Sequence, residues 1–357
     1  MERRVTRKAD SEGAVPEILR RKSEHVDIVL EGRVAARQIT TGFERIRFSH
    51  NALPELDLDA VDLSLPFLGR RLKAPLLISS MTGGPLHAHR INATIAEAAG
   101  RLGIGFAVGS QRIALEGRGD AGFSRQLRQL AGSIPILANF GAAQLRGWDG
   151  AAMAERAIDM IDADAVIIHL NPLQEGVQSG GDRDWSGLFR RIETVVRACP
   201  KPVVVKEVGS GLSDDVARRL FDIGVAILDV AGAGGTSWAA VEAERAPTAK
   251  ARAVAESFRD WGIPTARAVT GVRRACPDAT VIASGGIRDG IDAAKAIRLG
   301  ADIVGQAAGA LPAAIQSADA LVEHLEILVE QLRIVCFCTG SKDLQALRHA
   351  RLIEMPL

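Results

Sequence analysis

The chain has 357 residues, 47% of them apolar but only 4% aromatic, with no tyrosine, so its core must be aliphatic and rich in alanine. Lysine and arginine number 44 against 43 aspartates and glutamates, which leaves no overall field to draw the protein to nucleic acid or to an anionic membrane. No run approaches the ~20 apolar residues of a membrane span, and the basic start has no apolar stretch of signal-peptide type, so a cytoplasmic protein is expected.

In chain order, residues 1–20 mix charges without periodicity and predict a mobile arm. Residues 21–74 read as an N-terminal extension, and a short helix from about Val15 to His25 runs from the arm into it and ends before a turn at Gly32. That helix carries Arg20, Arg21, Lys22 and His25, either a solvated basic patch or an anion clamp. From Pro75 the pattern becomes regular. Apolar, β-branched runs begin at Pro75, Gly105, Pro135, Ala165, Pro202, Ala226, Thr280 and Asp302. Between them lie helical patterns over 90–102, 121–131, 150–161, 186–197, 214–222, 265–274 and 290–299. Residues 231–264 read as a long Gly- and Arg-containing connection. Eight such units, roughly 25 to 50 residues apart, predict a (β/α)8 TIM barrel over 75–318. An open doubly wound sheet is the alternative, disfavoured because no break separates two halves. Residues 319–357 add two amphipathic segments, 320–335 and 341–352, expected to pack outside the barrel or at a subunit contact.

Most of the four cysteines are expected to be small buried apolar residues, and nothing about them requires an oxidising compartment. Cys199 and Cys276 each stand in an Ala-Cys-Pro triplet before a strand, which suggests equivalent places in a structural repeat. Cys336 and Cys338 are too close for a zinc ribbon.

In a barrel of this kind the site lies where strands run into the following loops. All eight ends are polar or small. The densest is the fourth, where the apolar run 165–168 leads into a Gly-rich loop with His169, Asn171, Gln174, Glu175, Gln178, Asp182, Arg183 and Asp184. Gly285 and Gly286, followed by a helix, suit close approach of an anion, and with the eighth strand end they are similar to the phosphate pocket of barrels that hold flavin mononucleotide (FMN). A lysine at the end of a buried strand, Lys206, needs a negative partner: Glu207, Asp229, or a reduced flavin.

Seven motifs carry a resemblance. They are Arg21-Lys-Ser-Glu-His25, Phe48-Ser-His-Asn-Ala-Leu-Pro-Glu55, Met81-Thr-Gly-Gly84, Gly109-Ser-Gln-Arg112, His169-Leu-Asn-Pro-Leu-Gln-Glu175, Gly180-Gly-Asp-Arg-Asp-Trp185 and Gly232-Ala-Gly-Gly-Thr-Ser-Trp238. With them the chain resembles the type 2, FMN-dependent isopentenyl-diphosphate isomerases from about residue 20 onward. The resemblance implies that Arg21, Lys22, Ser110, Gln111 and Arg112 bind the substrate's diphosphate, and that Glu175 holds Mg²⁺. It places Gln174 beside the reacting carbons, with His169 and Asn171 lining the substrate cavity. Ser80, Met81, Thr82, Ser110, Asn139, Lys206, Thr236, Gly285, Gly286 and Ala307 would contact FMN. The implied activity interconverts isopentenyl and dimethylallyl diphosphate in isoprenoid biosynthesis, with reduced FMN as an acid–base and electrostatic cofactor and NADPH as reductant. Protonating an unactivated alkene puts positive charge on a tertiary carbon, which an electron-rich flavin can stabilise; Gln174 would then orient or relay. A homo-oligomer, tetramer or octamer, is expected. The glycines at 176, 180 and 181 suggest a loop that orders only with substrate, and residues 182–184 would tether it. The alternatives are an FMN-dependent 2-hydroxy-acid oxidase on the same barrel, which the lack of tyrosine opposes, and a non-catalytic flavin-binding scaffold.

Overall fold

The computed structural model describes residues 24–25, 27–80, 88–118 and 122–353. The expected arm, and the expected ligands Arg21, Lys22, Met81 and Thr82, lie outside the described residues. Residues 27–30 are helical, beyond the expected end at His25, and the turn at Gly32 follows with φ 70°.

Ahead of the barrel, β1 (Leu65–Phe67) and β2 (Arg70–Leu72) form an antiparallel hairpin. Its two-residue loop, Leu68-Gly69, has positive φ at both positions, the twist that suits a tight hairpin. Eight parallel strands then close a barrel: β3 (Leu76–Ile78), β4 (Gly105–Ala107), β5 (Ile136–Gly141), β6 (Ala165–Leu170), β7 (Val203–Glu207), β8 (Ile227–Asp229), β9 (Thr280–Ala283) and β10 (Ile303–Gln306), with β10 pairing back onto β3.

Helices follow each strand. They are α1 (Ala88–Leu102), α2 (Arg112–Leu115) with α3 (Gln126–Ala131), α4 (Gly150–Ile161), α5 (Pro172–Val177) with α6 (Leu188–Ala198), and α7 (Asp214–Asp222). Next come α8 (Trp238–Glu244), α9 (Ala249–Glu256) and α10 (Thr265–Ala275), then α11 (Gly290–Arg298). After β10 stand α12 (Leu311–Gln316), α13 (Ala318–Cys338) and α14 (Leu344–Leu347).

Four local expectations are corrected. The segment after β6 is not a loop throughout: Pro172 sits in the first turn of α5, where its fixed φ suits a helix and its missing N–H costs nothing. The 231–264 connection contains α8 and α9, whose first turns are capped by the side chains of Ser237 and Thr248. The helix expected over 121–131 is only Gln126–Ala131. The last amphipathic segment contracts to the single turn α14, capped by Asp343, and Leu352 instead pairs with Phe48. Cys199 and Cys276 do hold equivalent places: each is the C-cap of its helix, with its N–H on the carbonyl four residues back at 2.8 Å. Cys199 and Cys338 are only half-buried, whereas burial pushes the Cys336 thiol up to about 12.

The alternation of strand side chains positions the site. Leu77, Leu137, Ile167, Val204, Ile227, Ile282 and Ile303 fill the barrel's lower interior together with Phe67 and Leu72 of the hairpin, which plugs that end. The alternate positions along the strands, such as Ile78, Phe106, Ile168 and Val205, pack outward against the helices. Two residues further along the same inward faces stand Ser79, Asn139, His169, Lys206, Asp229, Ser284 and Gly305. A dry aliphatic layer thus carries a polar ring on its upper side. Below, Asp164 anchors the hairpin: its carboxylate accepts from Arg70 (2.8 Å), Arg128 (2.6 Å) and the Ile136 N–H (2.9 Å).

Candidate active site at the barrel mouth

The ring divides into two halves. In the first, Lys206 donates to the Glu207 carbonyl at 2.6 Å and stands 3.9 Å from Asp229 Oδ2. Asp229 Oδ1 accepts from Ser284 Oγ (2.6 Å), while Oδ2 is buried without a hydrogen bond. Burial pushes the Asp229 carboxyl up against the opposing pull of Lys206. Ser79 Oγ and Ser80 Oγ are likewise buried without a partner. Beside them, the glycine loops after β8 and β9 touch backbone to backbone. A Cβ on Gly285 would overlap Gly232, and one on Gly235 would lie 2.6 Å from the Gly286 nitrogen. Gly285 and Gly286 have φ of 99° and 69°, conformations that exclude most other residues. Thr265 Oγ1 fixes the arrangement by donating to the Gly285 carbonyl at 2.7 Å. Thr236 belongs to the same loop pair, and Ala307 follows β10 directly.

In the second half, Asn139 Nδ2 donates to the Val108 carbonyl (3.2 Å), so Asn139 Oδ1 faces His169 Nδ1 at 2.9 Å and that nitrogen carries the proton. Asn171, the N-cap of α5, shares one face at helical spacing with Gln174 and Glu175 of that helix. Asn171 Nδ2 donates to both Gln174 Oε1 and Glu175 Oε1 at 3.1 Å, leaving its own Oδ1 buried and unpaired. Glu175 Oε2 accepts from the Asp182 N–H (2.7 Å) and Gln178 Nε2 (3.4 Å). Gly181 is required for this wrap, since a Cβ there would overlap the Glu175 carbonyl. The 176–184 segment, which the glycines suggested would lack order without substrate, is therefore hydrogen-bonded to the helix that precedes it.

Gln174 Nε2 donates to Glu242 Oε1 at 3.0 Å, a residue the sequence did not single out. Glu242 lies on α8 and is 3% exposed; it also meets His25 Nε2 (3.1 Å) and Arg245 (2.8 Å). Burial alone would raise its pKa, but His25, Gln174 and Arg245 together hold it below the usual carboxylate range. The available signal was a glutamate four residues after Trp238 in an alanine-rich stretch, visible only once that stretch is read as a helix.

Arg112 pairs with Glu116 (2.9 Å) and Asp182 (3.0 Å), and Gln144 also donates to Asp182 (3.1 Å). Arg112, Arg118, Gln178, Asp182, Glu242 and Arg245 line one side of a cavity of about 840 Å³. Ser110 precedes this turn and is half-buried. Gln111 is a correction. It is fully buried, its Nε2 donates to the Ala157 carbonyl (2.9 Å), and its Oε1 accepts the Asn139 N–H (2.9 Å). Its side chain pins the turn to α4 and β5 and does not reach the cavity.

Two bound groups can be tested against these residues. Unpartnered buried hydroxyls, a glycine-walled backbone cradle and a buried lysine with hydrogens to spare fit a flavin with its phosphate. A hard cation finds one buried carboxylate, Glu175, with three donors on its four lone-pair positions, enough for a Mg²⁺ otherwise held by water and substrate phosphates. Among the described residues no three His, Cys, Asp or Glu side chains converge as a preformed cage.

Comparison with known proteins agrees with the first fit. The family model for FMN-dependent dehydrogenases matches residues 17–116 and 172–354. An isopentenyl-diphosphate delta-isomerase of Stutzerimonas stutzeri is 62% identical over 95% of this chain and 98% of its own length. One from Xanthobacter autotrophicus is 61% identical over 94% and 98%. Among solved structures, a mandelate oxidase with (S)-2-phenylpropionate superposes with a TM-score of 0.63 at 18% identity, covering 95% of this chain and 99% of that one. A Pediococcus acidilactici protein described as a lactate oxidase gives 0.67 at 14% identity over 97% and 96%. At such identities the oxidases share the fold.

Proposed function

The chain belongs to the isopentenyl-diphosphate delta-isomerases and to the FMN-dependent dehydrogenase family, and from that premise we propose how its site divides the work. The reaction moves a C=C bond by one position: a proton is added at one end of the allylic system and another is removed at the far end, with no net oxidation. The observation that carries the reading is the α5 face, where adjacent Gln174 and Glu175 share Asn171 as a donor but reach different further partners, Glu242 and the Asp182 N–H.

Reduced FMN, when bound, supplies an electron-rich ring that stabilises positive charge developing on the tertiary carbon, and a nitrogen able to carry a proton. Ser80, Met81, Thr82, Ser110, Asn139, Lys206, Thr236, Gly285, Gly286 and Ala307 would hold it, with Lys206 favouring its anionic form. Arg21, Lys22, Ser110 and Arg112 would bind the diphosphate; Arg112 must then exchange Asp182 or Glu116 for phosphate oxygens. Glu175 would hold Mg²⁺, coupling the metal to the 178–182 wrap that it already accepts from. His169 and Asn171 would line the cavity. Gln174 would orient the hydrocarbon end of the substrate, with its amide fixed on one side by Asn171 and on the other by Glu242. NADPH is the reductant in this reading. It also carries a cytoplasmic location and a homo-oligomer, tetramer or octamer. Ile327 and Ile334, exposed two turns apart on α13, support the second of these. No described helix is long and apolar enough to cross a membrane.

The test is anaerobic incubation of the purified protein with isopentenyl diphosphate, Mg²⁺ and FMN, with and without chemical reduction. Dimethylallyl diphosphate should form only with reduced flavin. Oxidation of lactate-like acids with no isomerisation would overturn the reading in favour of the oxidase.

A further inference from the structure

Helix α13 lies outside the barrel, yet two of its side chains reach the loop assigned to the flavin phosphate. His324 Nε2 meets Gln306 Oε1 at 2.7 Å, and Gln306 Nε2 donates to the Ile287 carbonyl at 3.2 Å. Because that carbonyl only accepts, the amide of Gln306 is fixed with its oxygen toward His324, which must therefore donate from Nε2. Gln306 is 6% exposed and ends β10 immediately before Ala307; its backbone carbonyl accepts the Ser79 N–H at 2.9 Å. Ile287 follows the Gly285-Gly286 pair. One side chain thus braces both strand ends of the pocket. Seven residues along the same face of α13, Gln331 Oε1 accepts the Gly290 N–H at 2.8 Å, at the start of α11. Gly290 has no side chain because a Cβ would overlap the Leu328 carbonyl of α13.

We propose that α13 sets the geometry of the flavin-phosphate pocket, with His324 acting through Gln306 and Gln331 acting through Gly290 as positioning residues. Neither touches the phosphate. Together they hold the 285–290 turn and the β10 end at the separation an anion needs, so that the backbone donors do not have to be reorganised when it binds. This inference rests on the FMN reading of the site, and it concerns only the phosphate end of that cofactor.

The discriminating ligand is riboflavin, which shares the ring system and the ribityl chain but lacks the phosphate. Full-length protein freed of flavin would be titrated with FMN and with riboflavin by fluorescence quenching. Variants would be His324→Ala, His324→Gln and Gln331→Ala, each first checked for a cooperative melt. His324→Ala and Gln331→Ala should weaken FMN by about tenfold while leaving riboflavin within about twofold. His324→Gln, whose amide can still donate to Gln306, should recover most of the loss. Equal losses for FMN and riboflavin would mean that α13 merely stabilises the fold, and unchanged FMN affinity in both Ala variants would mean that it does nothing for the pocket; either overturns the proposal. Wild-type protein that binds neither flavin would instead overturn the FMN reading, and the proposal with it. Should His324→Ala not fold, Gln331→Ala and His324→Gln decide by the same comparison.

Discussion

Two glutamines show what a side chain's surroundings decide. Gln111 and Gln174 both stand in polar motifs after strands, and the sequence offered each as a substrate ligand. Gln111 turns back into the packing of α4 and is hydrogen-bonded at both ends of its amide to backbone, whereas Gln174 on α5 is held between the side chains of Asn171 and Glu242. The difference lies in how the backbone turns after each strand, which residue identity does not encode. Replacing Gln174 by Ala should lower kcat by about 100-fold while flavin occupancy stays near that of the wild type. Steady-state kinetics paired with flavin absorbance measures both, and unchanged turnover would remove Gln174 from the reaction. Glu242 was missed because its importance comes from two partners distant in sequence, His25 and Gln174, joined by Arg245 one helical turn away.

At the level of elements, Asp164 makes a pH-dependent contribution that can be isolated. Burial works to raise its pKa, but the Ile136 N–H and the guanidinium groups of Arg70 and Arg128 outweigh it and hold the folded value below the ordinary one. A group depressed on folding stabilises the native state above its unfolded pKa, about 3.9 for aspartate, and loses that contribution as pH falls through the folded value. Asp164→Asn should therefore destabilise the protein by roughly 2–3 kcal/mol at pH 7, between the limits for exposed and buried pairs. In urea titrations from pH 7 downward the gap to wild type should close as the solution falls below about pH 4. A gap that stayed constant would show that shape, not charge, is responsible. The hairpin it anchors contributes by packing: Phe67→Ala, opening a void under the barrel's lower layer, should cost about 3–5 kcal/mol in the same assay. Most strands and outer helices were legible, because apolar runs bounded by Pro and Gly leave few choices. The helices α5 and α8 were not, since one begins with Asn-Pro and the other follows a glycine cluster, both of which read as loop.

Across the whole molecule, eight β/α units close a barrel that is dry and aliphatic below and polar above, and the two-residue alternation of its strands makes that division automatic. The barrel and its mouth could therefore be read from periodicity, while the bracing of the phosphate turn by α13 and the joining of α5 to α8 depend on tertiary contacts between segments up to 68 residues apart. The central claim is that this site moves protons without consuming reducing equivalents. Its most direct test is stoichiometry: protein with FMN reduced once, kept anaerobic in D₂O with Mg²⁺ and excess isopentenyl diphosphate, and product counted against electrons supplied. The account predicts many molecules of dimethylallyl diphosphate per reduced flavin, carrying deuterium from solvent, with the flavin still reduced at the end. One product per two electrons, or product without solvent deuterium, would contradict it.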